Sequence, residues 1–346
     1  MQISAADLGL PNFKPVPGFT DPWAQTVFGR YWPQRSWSYQ ADEELEIELS
    51  DGDRLLLLIN RPTNWTAKDR FILLVHGLVG DSESTYMIRM AQRFVDMGYA
   101  CGRLNLRMAG RGKTLARKIY HSGRSQDTRD VCVRLKTLYP DAPVTQIGVS
   151  LGANITLKML GEDGQQASGN LDSAVAISAP IDLAASVPRL QSSAKNRFFD
   201  RYFVKTLHKE LKALRKIHPH IADLKVPKDI TLTEFDEHFT APFSGFKSAA
   251  DYYQQSSALP KMGNIQVPTL VLYAEDDPIV PPEPYRQIPT NKNIRLVITR
   301  QGGHVGFLGT TGIPGHFRWM DEAVTRFVFK IDSKKGGAIA NRGEKS

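Results

Sequence analysis

The stretch Val144-Thr145-Gln146-Ile147-Gly148-Val149-Ser150-Leu151-Gly152 runs from an apolar segment into a G-x-S-x-G turn, and Asn154 to Leu160 behind it suit a helix. A glycine on either side of a lone serine fits a sharp strand-to-helix turn, because a Cβ at those positions collides with neighbouring backbone. Such a turn lifts the Ser150 hydroxyl out of a sheet. It also leaves the N–H of Leu151 at a helix N-terminus, where it can meet an oxyanion. With three fixed positions, the pentapeptide alone does not separate an active serine from a chance turn. The rest of the chain has to supply a base, an acid and a second donor.

Both side chains follow in the required order. Val267 to Ala274 is a short apolar, β-branched run of the buried parallel-strand kind and ends in Glu275-Asp276-Asp277-Pro278-Ile279-Val280-Pro281. A second run, Ile294 to Thr299, leads into Gly302-Gly303-His304-Val305-Gly306-Phe307. The glycines allow a tight loop that brings His304 back over the carboxyl edge of the sheet. The acid is Asp277 or Asp276; proline after Asp277 fixes the loop beyond a carboxylate at the strand exit, which favours Asp277. Upstream, Phe71 to Val75 opens into His76-Gly77-Leu78-Val79-Gly80, and the N–H of Leu78 is the candidate second oxyanion donor. Alone, His76-Gly77 reads better as a strand-to-loop turn with a hydrogen-bonded histidine.

With these stretches, and with Tyr120-His121-Ser122-Gly123, Phe235-Asp236, Thr240-Ala241-Pro242 and Asp251-Tyr252-Tyr253, the chain resembles the α/β-hydrolase superfamily. Within it, the chain is similar to the YheT-like branch of esterases, related to the eukaryotic abhydrolase-domain lipid hydrolases. The shared stretches spread from about Pro22 to about Phe329. The resemblance implies a triad of Ser150, Asp277 and His304, and esters of short to medium acyl chains, lipids included, as substrates. Two departures touch substrate choice: Trp23-Ala24-Gln25-Thr26 stands where the branch reads His-Leu-Gln-Thr, and Arg107-Met108 where it reads Arg-Gly. The residues expected along the substrate pocket are His76, Gly77, Arg107, His121, Phe199, Phe203 and Phe307.

The coarse pattern agrees with an α/β fold whose mostly parallel central sheet is covered by helices on both faces. Leu45 to Leu49 and Arg54 to Asn60 read as an entry hairpin, and βα units follow: Phe71 to Val75 with a helix from Ser84 to Met97, Tyr99 to Leu106 with one from Asp127 to Tyr139, then the elbow and Ser173 to Ser178. A last helix is expected from His316 to Phe329. The core is expected over 41–180 and 260–331, an N-terminal segment packing on it over 1–40, a helical cap inserted at 181–259, and a polar, glycine-rich tail without order from 332 to 346.

Charge marks the cap. Arg189 to Asp229 holds eleven Lys/Arg against four Asp/Glu in a chain whose net charge is +8. Phe199, Phe203, Leu207, Leu211 and Leu214 recur there at helical spacing with lysines between them, a basic amphipathic helix. Its apolar face either packs on the core, or in part lines an acyl tunnel or meets an anionic lipid surface transiently. A second basic run, Arg103, Arg107, Arg111, Lys113, Arg117, Lys118 and Arg124, is expected to flank the pocket mouth and attract an anionic substrate, unless its members are simply solvated.

Other signals carry less. Gly112-Lys113-Thr114 lacks the earlier glycine of a phosphate loop, and His218-Pro219-His220 has no further ligand at metal spacing, so no cofactor or metal is expected. The basic segments come with no nucleic-acid recognition motif. Cys101 and Cys132 read as small buried apolar groups. Met1 to Lys14 shows no secretory pattern and no apolar run reaches the roughly 18 residues of a membrane span, so a soluble cytoplasmic enzyme acting on a small acyl ester is expected. The same residues would serve an acyltransferase, which passes the acyl group to an alcohol. A binding module of this fold would instead lack a member of the triad.

Overall fold

Short apolar runs bounded by turn residues make strands here because both of their faces are covered. The computed structural model describes residues 2–32, 40–164, 171–221 and 226–334. Helix α1 (Pro22–Tyr31) precedes the hairpin of β1 (Glu43–Glu48) and β2 (Arg54–Asn60); β3 (Phe71–Val75), α2 (Thr85–Asp96), β4 (Ala100–Asn105), α3 (Ser125–Leu138), β5 (Val144–Val149), α4 (Leu151–Asp163) and β6 (Ser173–Ile177) follow. Helices α5 (Leu183–Arg189), α6 (Asn196–Leu214), α7 (Leu232–Phe235), α8 (Ala241–Phe243) and α9 (Ala249–Ser256) separate β6 from β7 (Thr269–Ala274). Finally come β8 (Ile294–Thr299) and α10 (Trp319–Lys334). A π turn, Asp236–Thr240, joins α7 to α8.

The eight strands form one sheet in the order β1-β2-β4-β3-β5-β6-β7-β8. The β1–β2 and β2–β4 pairs are antiparallel and all the others parallel. From β3 the chain moves outward to β4 and then returns to the other side as β5, so the loops leaving β3 and β5 diverge and open a crevice at the carboxyl edge. Alternate residues of each strand serve opposite faces. Ile72, Leu74, Ile147 and Val149 pack with Met87, Met90, Phe94, Trp319 and Phe327 of α2 and α10, whereas Phe71, Leu73 and Val75 pack with Val131, Leu135 and Ile155 of α3 and α4. Each such side chain contributes about 1.5–3 kcal/mol by burial. Ala5, Leu8 and Leu10 of the N-terminal segment join the first layer; residues 1 and 33–39 of the expected 1–40 segment lie outside the described residues.

Backbone strain is concentrated on one rim. Among the described residues, the non-glycine residues with positive φ are Val79, Met108, Ser150, Ser178, Val305 and Phe307. All lie in loops that follow β3, β4, β5, β6 or β8, at the carboxyl edge. The opposite edge is closed by a buried ion cluster in which Arg70 reaches Asp172 at 2.7 Å and Asp332 at 3.0 Å. This corrects the expected start of the tail: α10 runs on to Lys334, and Asp332 is buried because it neutralises Arg70. The remainder of the expected tail, 335–346, lies outside the described residues.

The basic run after β4 is corrected as well. Arg107 is 2% exposed and does not face substrate. It pairs with Asp127 at 2.7 Å, Asp53 at 2.5 Å and Asp51 at 3.0 Å. Arg111 pairs with Glu44, Arg117 with Asp53 and Lys118 with Asp51, so acids of the β1–β2 hairpin pair with four of the seven cations of the run, Arg107 included. No described helix is long and apolar enough to cross a membrane. Replacing Arg107 by Ala leaves buried carboxylates without their counter-ion, and the expected outcome is a loss of about 3–5 kcal/mol in chemical denaturation. Relative rates on a panel of esters should hardly change.

Candidate active site

Ser150 sits between β5 and α4 at φ 53°, ψ −118°, a conformation that only over-determined packing sustains. That packing is tight: a Cβ on Gly152 would stand 2.5 Å from the carbonyl oxygens of both Val75 and His76. Gly77 passes so near that its own Cβ would lie 3.1 Å from the Ser150 Cβ. The glycines of the elbow therefore admit the β3 exit loop to the serine.

The His304 ring reaches this point from the loop after β8. Its Nε2 lies 2.9 Å from the Ser150 Oγ and its Nδ1 2.8 Å from the Asp277 Oδ2. Asp277 is fully buried, and its Oδ1 accepts from the N–H groups of Ile279 and Val280 at 2.8 and 2.9 Å. With the carboxylate accepting from Nδ1–H, the network leaves Nε2 as the acceptor for the serine proton. Asp276 points elsewhere. Its Oδ1 accepts from the N–H of Gly303 at 2.9 Å, so it holds the histidine loop, and burial pushes its carboxyl up.

Helix α1 braces the same loop. Thr26 Oγ1 accepts from the N–H of His304 at 2.9 Å, while Gln25 donates to the carbonyl of Leu308 at 3.0 Å and accepts from its N–H at 2.7 Å. Ser178 Oγ accepts from the N–H of Val305 at 3.2 Å. The bracing role of α1 was not read from the sequence, although Asp21-Pro22 is a helix start: Asp21 accepts from the N–H groups of Trp23 and Ala24, and proline occupies the first helical position.

The loop after β3 is gripped on both sides of Leu78. Tyr86 Oη accepts from the N–H of Gly77 and Tyr120 Oη from the N–H of Val79, each at 2.9 Å. The N–H groups of Leu78 and Leu151 have no acceptor among the described residues. His76 is part of this frame and borders neither of the two cavities at Ser150. The N–H of Leu106 donates to its Nε2 at 3.1 Å, so Nδ1 carries the proton to the Gly77 carbonyl at 2.8 Å. Burial lowers its pKa to about 4 and keeps the ring neutral.

Two cavities open on Ser150, and both are bordered by Leu78, Phe203 and Ile279. The cap-side cavity takes its walls from His121, Met108, Leu211 and Phe239; the other lies against α1 and α2, with Gly77, Phe199, Tyr86 and His304 in its wall. Of the residues expected to line the pocket, Gly77, His121, Phe199 and Phe203 do so, and Arg107, His76 and Phe307 do not. Phe307 is fully buried beneath the histidine loop, edge-on to Phe13 and stacked with Trp319, because the loop turns its ring into the core. His218 and His220 each hydrogen-bond a carbonyl of the loop after β4, those of Lys113 and Arg117, both at 2.7 Å.

Residues 66–304 match the family model described as serine aminopeptidase, S33. The Escherichia coli (strain K12) protein YheT is 30% identical over 312 residues, spanning 87% of this chain and 88% of its own length. The human phospholipase ABHD3 is 29% identical over 289 residues, 82% of this chain and 68% of that one. Among solved structures, the Pyrococcus furiosus esterase Pf2001 superposes with a TM-score of 0.54 at 18% identity, covering 85% of this chain and 97% of that one, a likeness of fold. The chain thus belongs to the α/β-hydrolase family that the matched model describes, as an enzyme of the esterase and lipase type.

Proposed function

We propose that this chain hydrolyses carboxylic esters of short to medium acyl chains, lipid esters included, through an acyl-enzyme on Ser150. The observation that carries the reading is the pair of contacts from one imidazole, 2.9 Å to a hydroxyl and 2.8 Å to a buried carboxylate. In this reading His304 takes the Ser150 proton as Oγ attacks the ester carbonyl. Asp277 holds the ring in the required tautomer and balances its positive charge. The tetrahedral oxyanion is bound by the N–H groups of Leu78 and Leu151. His304 then passes its proton to the departing alcohol, a water enters, and the same base activates it to release the acid. The apolar walls of both cavities support a substrate with hydrocarbon on at least one side of the ester.

The unaltered amides around Leu78 matter in the same reading. Only the middle N–H of the Gly77-Leu78-Val79 segment is left for substrate, and two tyrosine hydroxyls set its direction.

Ser150→Ala is expected to lose on the order of 10⁶-fold in kcat on p-nitrophenyl esters while keeping its circular dichroism and melting behaviour. Asp277→Asn should lose on the order of 10⁴-fold through the wrong imidazole tautomer; retained turnover in either variant sinks the assignment. Tyr86→Phe and Tyr120→Phe should each lower kcat by on the order of 10- to 100-fold with KM nearly constant, since the oxyanion donor is misaimed rather than removed. Steady-state kinetics that showed a change in KM alone would contradict this.

A further inference from the structure

Helix α6 turns one apolar stripe toward the cap-side cavity: Phe203, Leu207, Leu211 and Leu214 all line it. Glu210 stands inside that stripe, three residues after Leu207 and beside Leu211, and lines the same cavity. Met108, Ile119 and Phe239 belong to the same wall system and are buried. The lysines of α6, Lys205, Lys209 and Lys212, are all exposed. No hydrogen bond or ion pair to Glu210 is found among the described residues. The groups that share its surroundings are Asp81 from the loop after β3, Tyr120 and His121 from the loop after β4, Asp236 from the π turn and Tyr252 from α9. None of these is a cation, since burial keeps the pKa of His121 far below its ordinary value.

We propose that Glu210 is a specificity-determining residue of this cavity: its carboxyl admits an uncharged acyl chain in the neutral form, resists that chain when ionised, and turns away chains that end in a carboxylate. The proposal rests on the ester-hydrolase reading in taking the cap-side cavity as the acyl site. The physical cause is water. A hydrocarbon chain that fills the cavity displaces the solvent on which an ionised carboxylate depends, whereas a protonated carboxyl loses far less. Burial, and then the neighbouring Asp81, raise the Glu210 pKa to about 7, so both forms are populated near neutral pH. The neutral form binds chain better. Affinity is therefore constant below pH 7 and falls above it, with a limiting slope of about tenfold per pH unit.

The experiment separates binding from chemistry by using Ser150→Ala with a fluorescent coumarin ester, as the dodecanoate and as the acetate, from pH 6 to pH 9. The dodecanoate Kd is expected to weaken at least tenfold between pH 7 and pH 9, and the acetate Kd much less. With Glu210→Gln added, the dodecanoate should bind tightly at every pH, and with Glu210→Leu instead, more tightly still. The same pH dependence in all three proteins would assign the effect to Asp236 or another group and overturn the proposal, as would a flat Kd in Ser150→Ala. Turnover by the unaltered protein is measured alongside. Hydrolysis together with a flat Kd sinks the role of Glu210 alone; a pH-dependent Kd without hydrolysis keeps it and sinks the ester chemistry.

Discussion

The constraint on which the site depends is the contact between the β5–α4 turn and the exit of β3. Gly152 lies against the carbonyls of Val75 and His76 with no room for a methyl group, and Gly77 lies against Ser150. This contact sets the spacing between a strained serine and the segment that carries Leu78. The parallel register of β3 with β5, Val75 opposite Gly148, delivers the two loops to that point together. Other parts of the site are adjustments to it: the Tyr86 and Tyr120 hydroxyls aim the segment, and neutral His76 ties it to β4.

The histidine has the opposite problem, because its loop is long and glycine-rich. It is held from outside by groups far away in sequence. Thr26 and Gln25 come from α1, Asp276 and Asp277 from the loop after β7, and Ser178 from the loop after β6. An N-terminal segment that would otherwise be mere cover over the sheet thereby becomes part of the frame of the site.

Much of this was legible in the sequence because the signals were local. Apolar runs such as Phe71 to Val75 and Val144 to Val149 form strands with those same ends, and Ser150, Asp277 and His304 each sit just beyond one. The rival acid, Asp276, is disfavoured in the sequence only by the proline that follows Asp277; where the loop points each carboxylate separates the two fully. The errors arose where long-range partners decide. Arg107 looked like a free cation because the carboxylates that neutralise it lie as far as 56 residues upstream. Phe307 and His76 looked like pocket residues because they adjoin catalytic-looking motifs, yet one ring fills the core and the other bridges two strand exits. Glu210 was read only as one acid among many bases; its position within an apolar stripe acquires meaning once the cavity beneath α6 is seen.

Leu78, Phe203 and Ile279 belong to both cavities and meet at Ser150. A molecule seated with its carbonyl at the serine must therefore straddle a waist, with one half on each side. Bulk close to the carbonyl meets these three side chains, while length farther out runs along the walls of one cavity or the other. In the ester-hydrolase reading, such a shape favours slender chains extending both ways over compact, branched ones, through three side chains that take no part in any proton transfer.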